Sequence, residues 1–145
     1  MSDHRARSED RALGDAVARV GDRWALLLVH ALLDGPRRFN DLLDDLGGIA
    51  PNILSQRLKH LERAGVVTVT PYSTRPPRYV YELTAAGRDL AGAVRLLAQW
   101  GAGRSDGSEP LRHQACGTAM EARWYCPTCA SIVDDGAGEE DLRFV

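Results

Sequence analysis

Between Arg37 and Leu83 the spacing of apolar residues changes from helical to alternating, and this change constrains the fold more than any other feature of the 145-residue chain. Phe39, Leu42, Leu43 and Leu46 recur at helical spacing and predict a short helix, with Asn40 as its N-cap and Asp41 in its first turn. Leu46-Gly47-Gly48-Ile49 follows, and its two glycines can take positive φ and turn the chain sharply. A second helix is expected from Pro51, whose fixed φ suits the first helical position, to Gly65. Val66-Val67-Thr68-Val69-Thr70 is then β-branched throughout, and Arg78-Tyr79-Val80-Tyr81-Glu82-Leu83 alternates as a strand. The intervening Pro71-Tyr72-Ser73-Thr74-Arg75-Pro76-Pro77 is rich enough in proline to predict a loop rather than a continued ladder.

The order helix, turn, helix, hairpin predicts an α+β, mostly helical fold: a winged helix-turn-helix. In the second helix Leu54, Leu58 and Leu61 stack into one apolar stripe, while Asn52, Gln56, Lys59 and Arg63 cluster opposite, flanked by Ser55 and His60. Asn and Gln pair bidentately with adenine in a major groove, Lys suits guanine or phosphate, and Ser donates or accepts, so this face carries the donors and acceptors that base edges need. Any amphipathic surface helix also shows a polar face, and what distinguishes this one is its flanking elements. The loop carries Arg75 with Arg78 at its base, the composition of a wing that grips phosphate, and Arg57 joins them as a phosphate contact.

The formal net charge of −2 looks wrong for a nucleic-acid binder until it is divided along the chain. Residues 51–78 hold Arg57, Lys59, Arg63, Arg75 and Arg78 against Glu62 alone, whereas residues 102–145 hold four arginines against eight acids. Leu26-Leu27-Leu28-Val29 is far shorter than the roughly 18 apolar residues of a membrane span. The polar, acidic N-terminal stretch lacks the basic and apolar regions of a signal peptide, so no membrane association and a bacterial-type cytoplasmic location are expected.

Upstream, Val20, Trp24, Leu27, Leu28, Ala31 and Leu32 predict a core helix ended by Asp34-Gly35-Pro36. Arg37 and Arg38 then fall in an extended link, the place of a third strand, where both can meet phosphate or simply be a pair of solvated arginines. Leu13, Ala16, Val17 and Val20 predict a short helix before it. After the wing, Thr84 caps a long helix with a stripe of Leu90, Val94, Leu97 and Trp100. A winged helix does not need both end helices, so Leu13, Val17, Leu90, Val94 and Leu97 are expected at the two-fold interface of a homodimer matched to a palindromic operator, with packing within one chain as the alternative.

The segments Gly21-Asp22-Arg23-Trp24, Leu32-Leu33-Asp34-Gly35-Pro36-Arg37-Arg38-Phe39, Leu54 to Glu62, Gly65-Val66-Val67 and Pro76 to Thr84 together resemble the HxlR-type family of bacterial transcriptional regulators, over about residues 9–103. The resemblance implies a dimeric winged-helix regulator that represses or activates nearby genes, with the helix from Leu54 to Gly65 in the major groove and the wing around Arg75. Two departures stand out. Many relatives carry a Cys-Pro pair near the start of the first helix, a sensing thiol in some of them, whereas the region around Asp10, Arg11 and Ala12 has no cysteine and thiol sensing there is ruled out. Where relatives often have a Ser cap before the reading helix this chain has Ala50, which forfeits a cap bond of about 1 kcal/mol that a DNA phosphate could replace on binding.

A Gly-, Ser- and Asp-rich linker, residues 104–110 by this reading, precedes all three cysteines. His113-x2-Cys116 and Cys126-x2-Cys129 have the two-residue spacing that lets both side chains of a knuckle reach one tetrahedral ion, and Gly117 permits the tight turn. A Cys3His structural zinc ribbon over residues 111–133 is expected, its metal supplying stability that so small a core lacks, followed by an acidic tail over 134–145. The alternatives are a metal-free dithiol at Cys126 and Cys129 or a ribbon that binds nothing. The function that follows is a sequence-specific DNA-binding regulator with an unidentified effector, or the same regulator switched by redox or metal at the tail. A Cys-x2-Cys oxidoreductase is the reading from another class, but no thioredoxin-like βαβ pattern surrounds the motif, and no Ser/His/Asp set, paired carboxylates or phosphate loop points to an enzyme.

Overall fold

A computed structural model of the chain describes residues 3–107 and 109–133, with side chains from residue 11 onward. The expected acidic tail at 134–145 lies outside the described residues. The chain separates into two compact units, residues 11–95 and a second made of residues 96–133 with the start of the first helix. The boundary expected near residue 103 therefore moves back into the last helix, because Gln99 Nε2 there donates to Met120 O at 3.2 Å and so belongs with the tail.

In the larger unit helix α1 spans Asp3–Val20, α2 Arg23–Leu32, α3 Phe39–Leu46 and α4 Pro51–Arg63, and α1 is longer than its apolar stripe predicts. Of that stripe Val20 alone is buried; Leu13 and Val17 are exposed. Asp22 caps α2, its carboxylate accepting from Trp24 N at 2.8 Å and Ala25 N at 3.2 Å. The buried face of α2 is Ala25, Leu28, Val29 and Leu32, so the expected stripe is rotated: Leu27 is exposed, and Ala25 takes its place where helices approach closely. These side chains meet Leu42 of α3, Leu54, Leu58 and Leu61 of α4, and Leu83 in one core. The stripe of α4 is buried as its spacing predicts.

The start of α3 differs from expectation. Arg38, not Asn40, is the N-cap residue, and the Asp41 carboxylate reaches back to accept from Arg38 N at 3.0 Å. Asn40 is thus released from capping and exposed within the first turn. Gly47 and Gly48, at φ of 39° and 91°, make the turn into α4, and Ala50 caps α4 with no side-chain bond.

Strands β1 (Arg37–Arg38), β2 (Val67–Thr74) and β3 (Pro77–Leu83) form an antiparallel sheet in the order β1-β3-β2, so the third strand falls where the sequence places it. Arg37 pairs with Tyr81 and Val67 with Leu83. The ladder runs on to Thr74 opposite Pro77, through the stretch expected to be a loop. β2 is an edge strand with a register shift between Pro71 and Ser73, which lets a residue without an N–H sit in it. The wing is therefore a long hairpin closed by Arg75 and Pro76, whose peptide bond is cis.

Thr84 does cap, but what it caps is a short helix, α5 (Ala85–Arg88), separated by Asp89 and Leu90 from α6 (Ala91–Ala102). Gly87 N donates to Thr84 Oγ1 at 3.0 Å, and that hydroxyl donates to Gly65 O, tying α5 to the end of α4. Val94 is buried in the core, which favours packing within the chain for that residue, and Leu90 packs against the core while staying half-buried. Leu97 and Trp100 remain exposed.

In the smaller unit β4 (Trp124–Cys126) pairs with β5 (Ser131–Val133), and the 111–120 loop is held by His113 N to Thr118 O at 2.8 Å and Met120 N to Leu111 O at 2.7 Å. Among the described residues no helix is long and apolar enough to cross a membrane.

Candidate nucleic-acid interface

Helix α4 buries Leu54, Leu58 and Leu61, and the 3.6-residue period then turns Asn52, Gln56, Lys59 and Arg63 to solvent. Ser55 is half-buried beside them. No ion pair engages Lys59, Arg63, Arg75 or Arg78 among the described residues, so their charge is available to a polyanion. Arg75 and Arg78 are exposed at the closing end of the wing.

Two expected phosphate contacts are committed within the chain. Arg57 Nη1 lies 3.3 Å from Asp22 Oδ2, joining α4 to the carboxylate that caps α2. Arg37 Nε lies 3.3 Å from Asp45 Oδ2, close enough for an ion pair though not aligned as a hydrogen bond. Both pairs are partly exposed and worth no more than about 1 kcal/mol, so a phosphate could compete for either arginine, but neither is free in this structure. His60 is likewise turned inward, its Nε2 2.9 Å from Arg19 O. Spacing along one helix does not reveal these partners, which come from α2, α3 and α1.

The structure brings Arg38 and Arg78, both singled out in the sequence, together with Asn40 and tyrosines that were not assigned to this surface. A cleft of about 550 Å³ opens between the wing and the start of α3, lined among others by Arg38, Asn40, Tyr72, Arg78, Tyr79 and Tyr81. The Arg38 guanidinium stacks 4.8 Å from the centre of the Tyr72 ring, which fixes its plane while leaving its N–H edge able to donate. Burial, then the neighbouring Glu62 and Tyr79, pushes the Tyr81 phenol above its ordinary 10. Tyr72 sat in a segment expected to be a loop and Asn40 was assigned to capping, so of this cleft only Arg38 and Arg78 were legible as phosphate contacts.

The expected zinc ligands form two pairs. His113 Nδ1 lies 3.3 Å from Cys116 Sγ, which is also 3.2 Å from Thr118 Oγ1. The Thr118 hydroxyl first, then the Thr118 backbone N–H and His113, lower the Cys116 thiol to about 7. At the other pair the backbone N–H and thiol of Cys129 and the backbone N–H of Thr128 donate to Cys126 and lower its pKa, while Cys129, as donor, is raised. Among the described residues no three or more His, Cys, Asp or Glu side chains gather where they could hold a metal ion. A tetrahedral zinc needs all its ligands about 2.0–2.3 Å from one point, so these residues as placed do not fit the expected Cys3His site.

Comparisons with known proteins agree with the larger unit. Residues 19–108 match the family model described as HxlR-like helix-turn-helix. An uncharacterised HTH-type transcriptional regulator of Mycobacterium tuberculosis is 41% identical over 137 residues, covering 92% of this chain and 86% of that protein. The HTH-type transcriptional regulator YodB of Bacillus subtilis is 32% identical over 85 residues, 59% of this chain and 76% of its own. Among solved structures the redox regulator HypR in its oxidised form superposes with a TM-score of 0.62 at 29% identity, covering 66% of this chain and 98% of that one. With its winged fold, its buried and exposed α4 faces and these matches, the chain belongs to the HxlR-like helix-turn-helix family of DNA-binding transcriptional regulators.

Proposed function

We propose that this regulator binds a palindromic operator as a homodimer in the cytoplasm, each protomer laying α4 in a major groove. Asn52, Ser55, Gln56 and Lys59 read base edges, while Arg63, Arg75 and Arg78 hold phosphates, with Arg38 presented from the cleft beside the wing. The observation that carries this reading is the division of α4 into a buried leucine face and an exposed Asn52, Gln56, Lys59 and Arg63 face, next to a wing whose arginines have no ion-pair partner among the described residues. Leu13 and Val17 on α1 and Leu97 on α6, at 67%, 55% and 54% exposed, supply apolar surface for the second protomer. HypR is named a redox regulator; a thiol switch in this chain would have to act through Cys116, Cys126 or Cys129, since no cysteine precedes them.

Fluorescence anisotropy with a bound duplex across a salt series tests the placement. Gln56→Ala is expected to relax preference at one base pair, at a cost of about 1–3 kcal/mol there. Arg75→Ala is expected to weaken all sequences alike and to reduce the salt slope by about one. Parent-like binding by both variants at every salt concentration would contradict this placement of helix and wing.

A further inference from the structure

The tail brings two of the chain's three thiols together at a site that does not assemble as the four-ligand metal centre its spacing suggests. Cys126 ends β4 and pairs with Ser131 at the start of β5, so Pro127 to Ala130 form the turn between them and Cys129 folds back towards Cys126. Cys126 and Cys129 stand at positions i and i+3 where the chain enters this turn, a separation at which Cα atoms lie within about 7 Å, close to the roughly 4.4–6.8 Å that a disulfide spans. Cys129 is exposed and Cys126 half-buried, so a small molecule in solvent can reach the pair. Cys116, in contrast, is held by Thr118 and His113, with no second thiol among its partners.

We propose that Cys126 and Cys129 are a reversible modification site: a dithiol that low-molecular-mass disulfides oxidise to an intramolecular disulfide. Cys126 attacks one sulfur of the small disulfide as thiolate, breaking the S–S bond and releasing one small thiolate. Cys129 then loses its proton to solvent and attacks Cys126 Sγ of the mixed disulfide, expelling the second small thiolate. The protein loses two electrons and two protons, and one small disulfide becomes two small thiols. Cys116 lacks a resolving partner and keeps its adduct. The proposal concerns the tail alone and stands or falls independently of the DNA-binding reading.

The test uses the full chain, purified under reducing conditions, assayed for bound zinc, exposed to oxidised glutathione, trapped with iodoacetamide and digested with trypsin. Cleavage after Arg112 and Arg123 separates Cys116 from the other two cysteines. The expected result is a Cys126–Cys129 peptide lighter by two hydrogens and closed to iodoacetamide, and a Cys116 peptide carrying one glutathione. In Cys129→Ser the resolving step is lost, and Cys126 is expected to retain glutathione as well. Because the parent protein gives the primary readout, the test survives a variant that does not fold. One zinc per chain that shields Cys126 and Cys129 from glutathione would overturn the proposal. Separate glutathione adducts on both cysteines of the parent, no reaction at either, or a disulfide joining Cys116 to either would also overturn it.

Discussion

At the residue scale, the arginines divide by partner rather than by position. Arg57 lies in the same helix as Lys59 and Arg63, yet its Nη1 is paired with Asp22, the N-cap of α2. Arg57→Ala is therefore expected to leave the salt slope of DNA binding unchanged and to lower stability by no more than about 1 kcal/mol, in contrast to Arg75→Ala. Unfolding in urea and binding across the salt series separate the two effects. That pair was not legible in the sequence because it joins residues 35 positions apart, whereas Asn52, Gln56 and Lys59 were, since helical period alone decides their exposure. Cys116 carries a second expectation at this scale. Thr118 and His113 favour its thiolate, so its alkylation rate is expected to rise with pH through about 7 and level off above, while in urea-unfolded protein the rise should move towards the ordinary 9.0. Identical profiles in both states would remove the Thr118 and His113 contacts from the account.

At the scale of elements, α4 was readable nearly end to end, because its leucines recur at one period and Pro51 marks its start. The wing was readable in kind but not in length. Proline argues against a central strand, and Pro71 is tolerated because β2 is the sheet's edge, a property of strand order that local composition does not carry. The break between α5 and α6 was missed because Thr84 signals where a helix starts and not how soon it stops. Gly87 explains part of the local arrangement: a Cβ there would run into the Val66 carbonyl oxygen, so α5 can lie against the start of the hairpin only with glycine at this position. Gly87→Ala is expected to cost about 1–3 kcal/mol, and Leu54→Ala, at a fully buried site, about 2–5 kcal/mol. Chemical denaturation of each variant checks both, and a parent-like midpoint for Gly87→Ala would mean that α5 is not held against Val66.

At the scale of the molecule, a core drawn from α2, α3, α4, β2 and β3 holds α4 from behind and leaves its polar face outward. Val94 joins that core, whereas Leu13, Val17 and Leu97 are exposed, and these are the residues proposed above to meet a second protomer. Leu97→Glu is expected to sediment as a monomer and to lose operator affinity, and an intact dimer would move the interface elsewhere. The tail shows the limit of motif reading: spacing of two residues builds each knuckle locally, but whether two knuckles meet depends on the path between them. The most direct test of the central claim is selection of bound sites from a random-sequence duplex library, run in parallel with the parent and with Gln56→Ala. The parent is expected to enrich an inverted repeat with half-sites about 10 base pairs apart, and Gln56→Ala to lose preference at one position in each half-site while keeping the rest. Enrichment of the same motif at the same strength by both proteins would contradict the claim that the exposed face of α4 reads DNA.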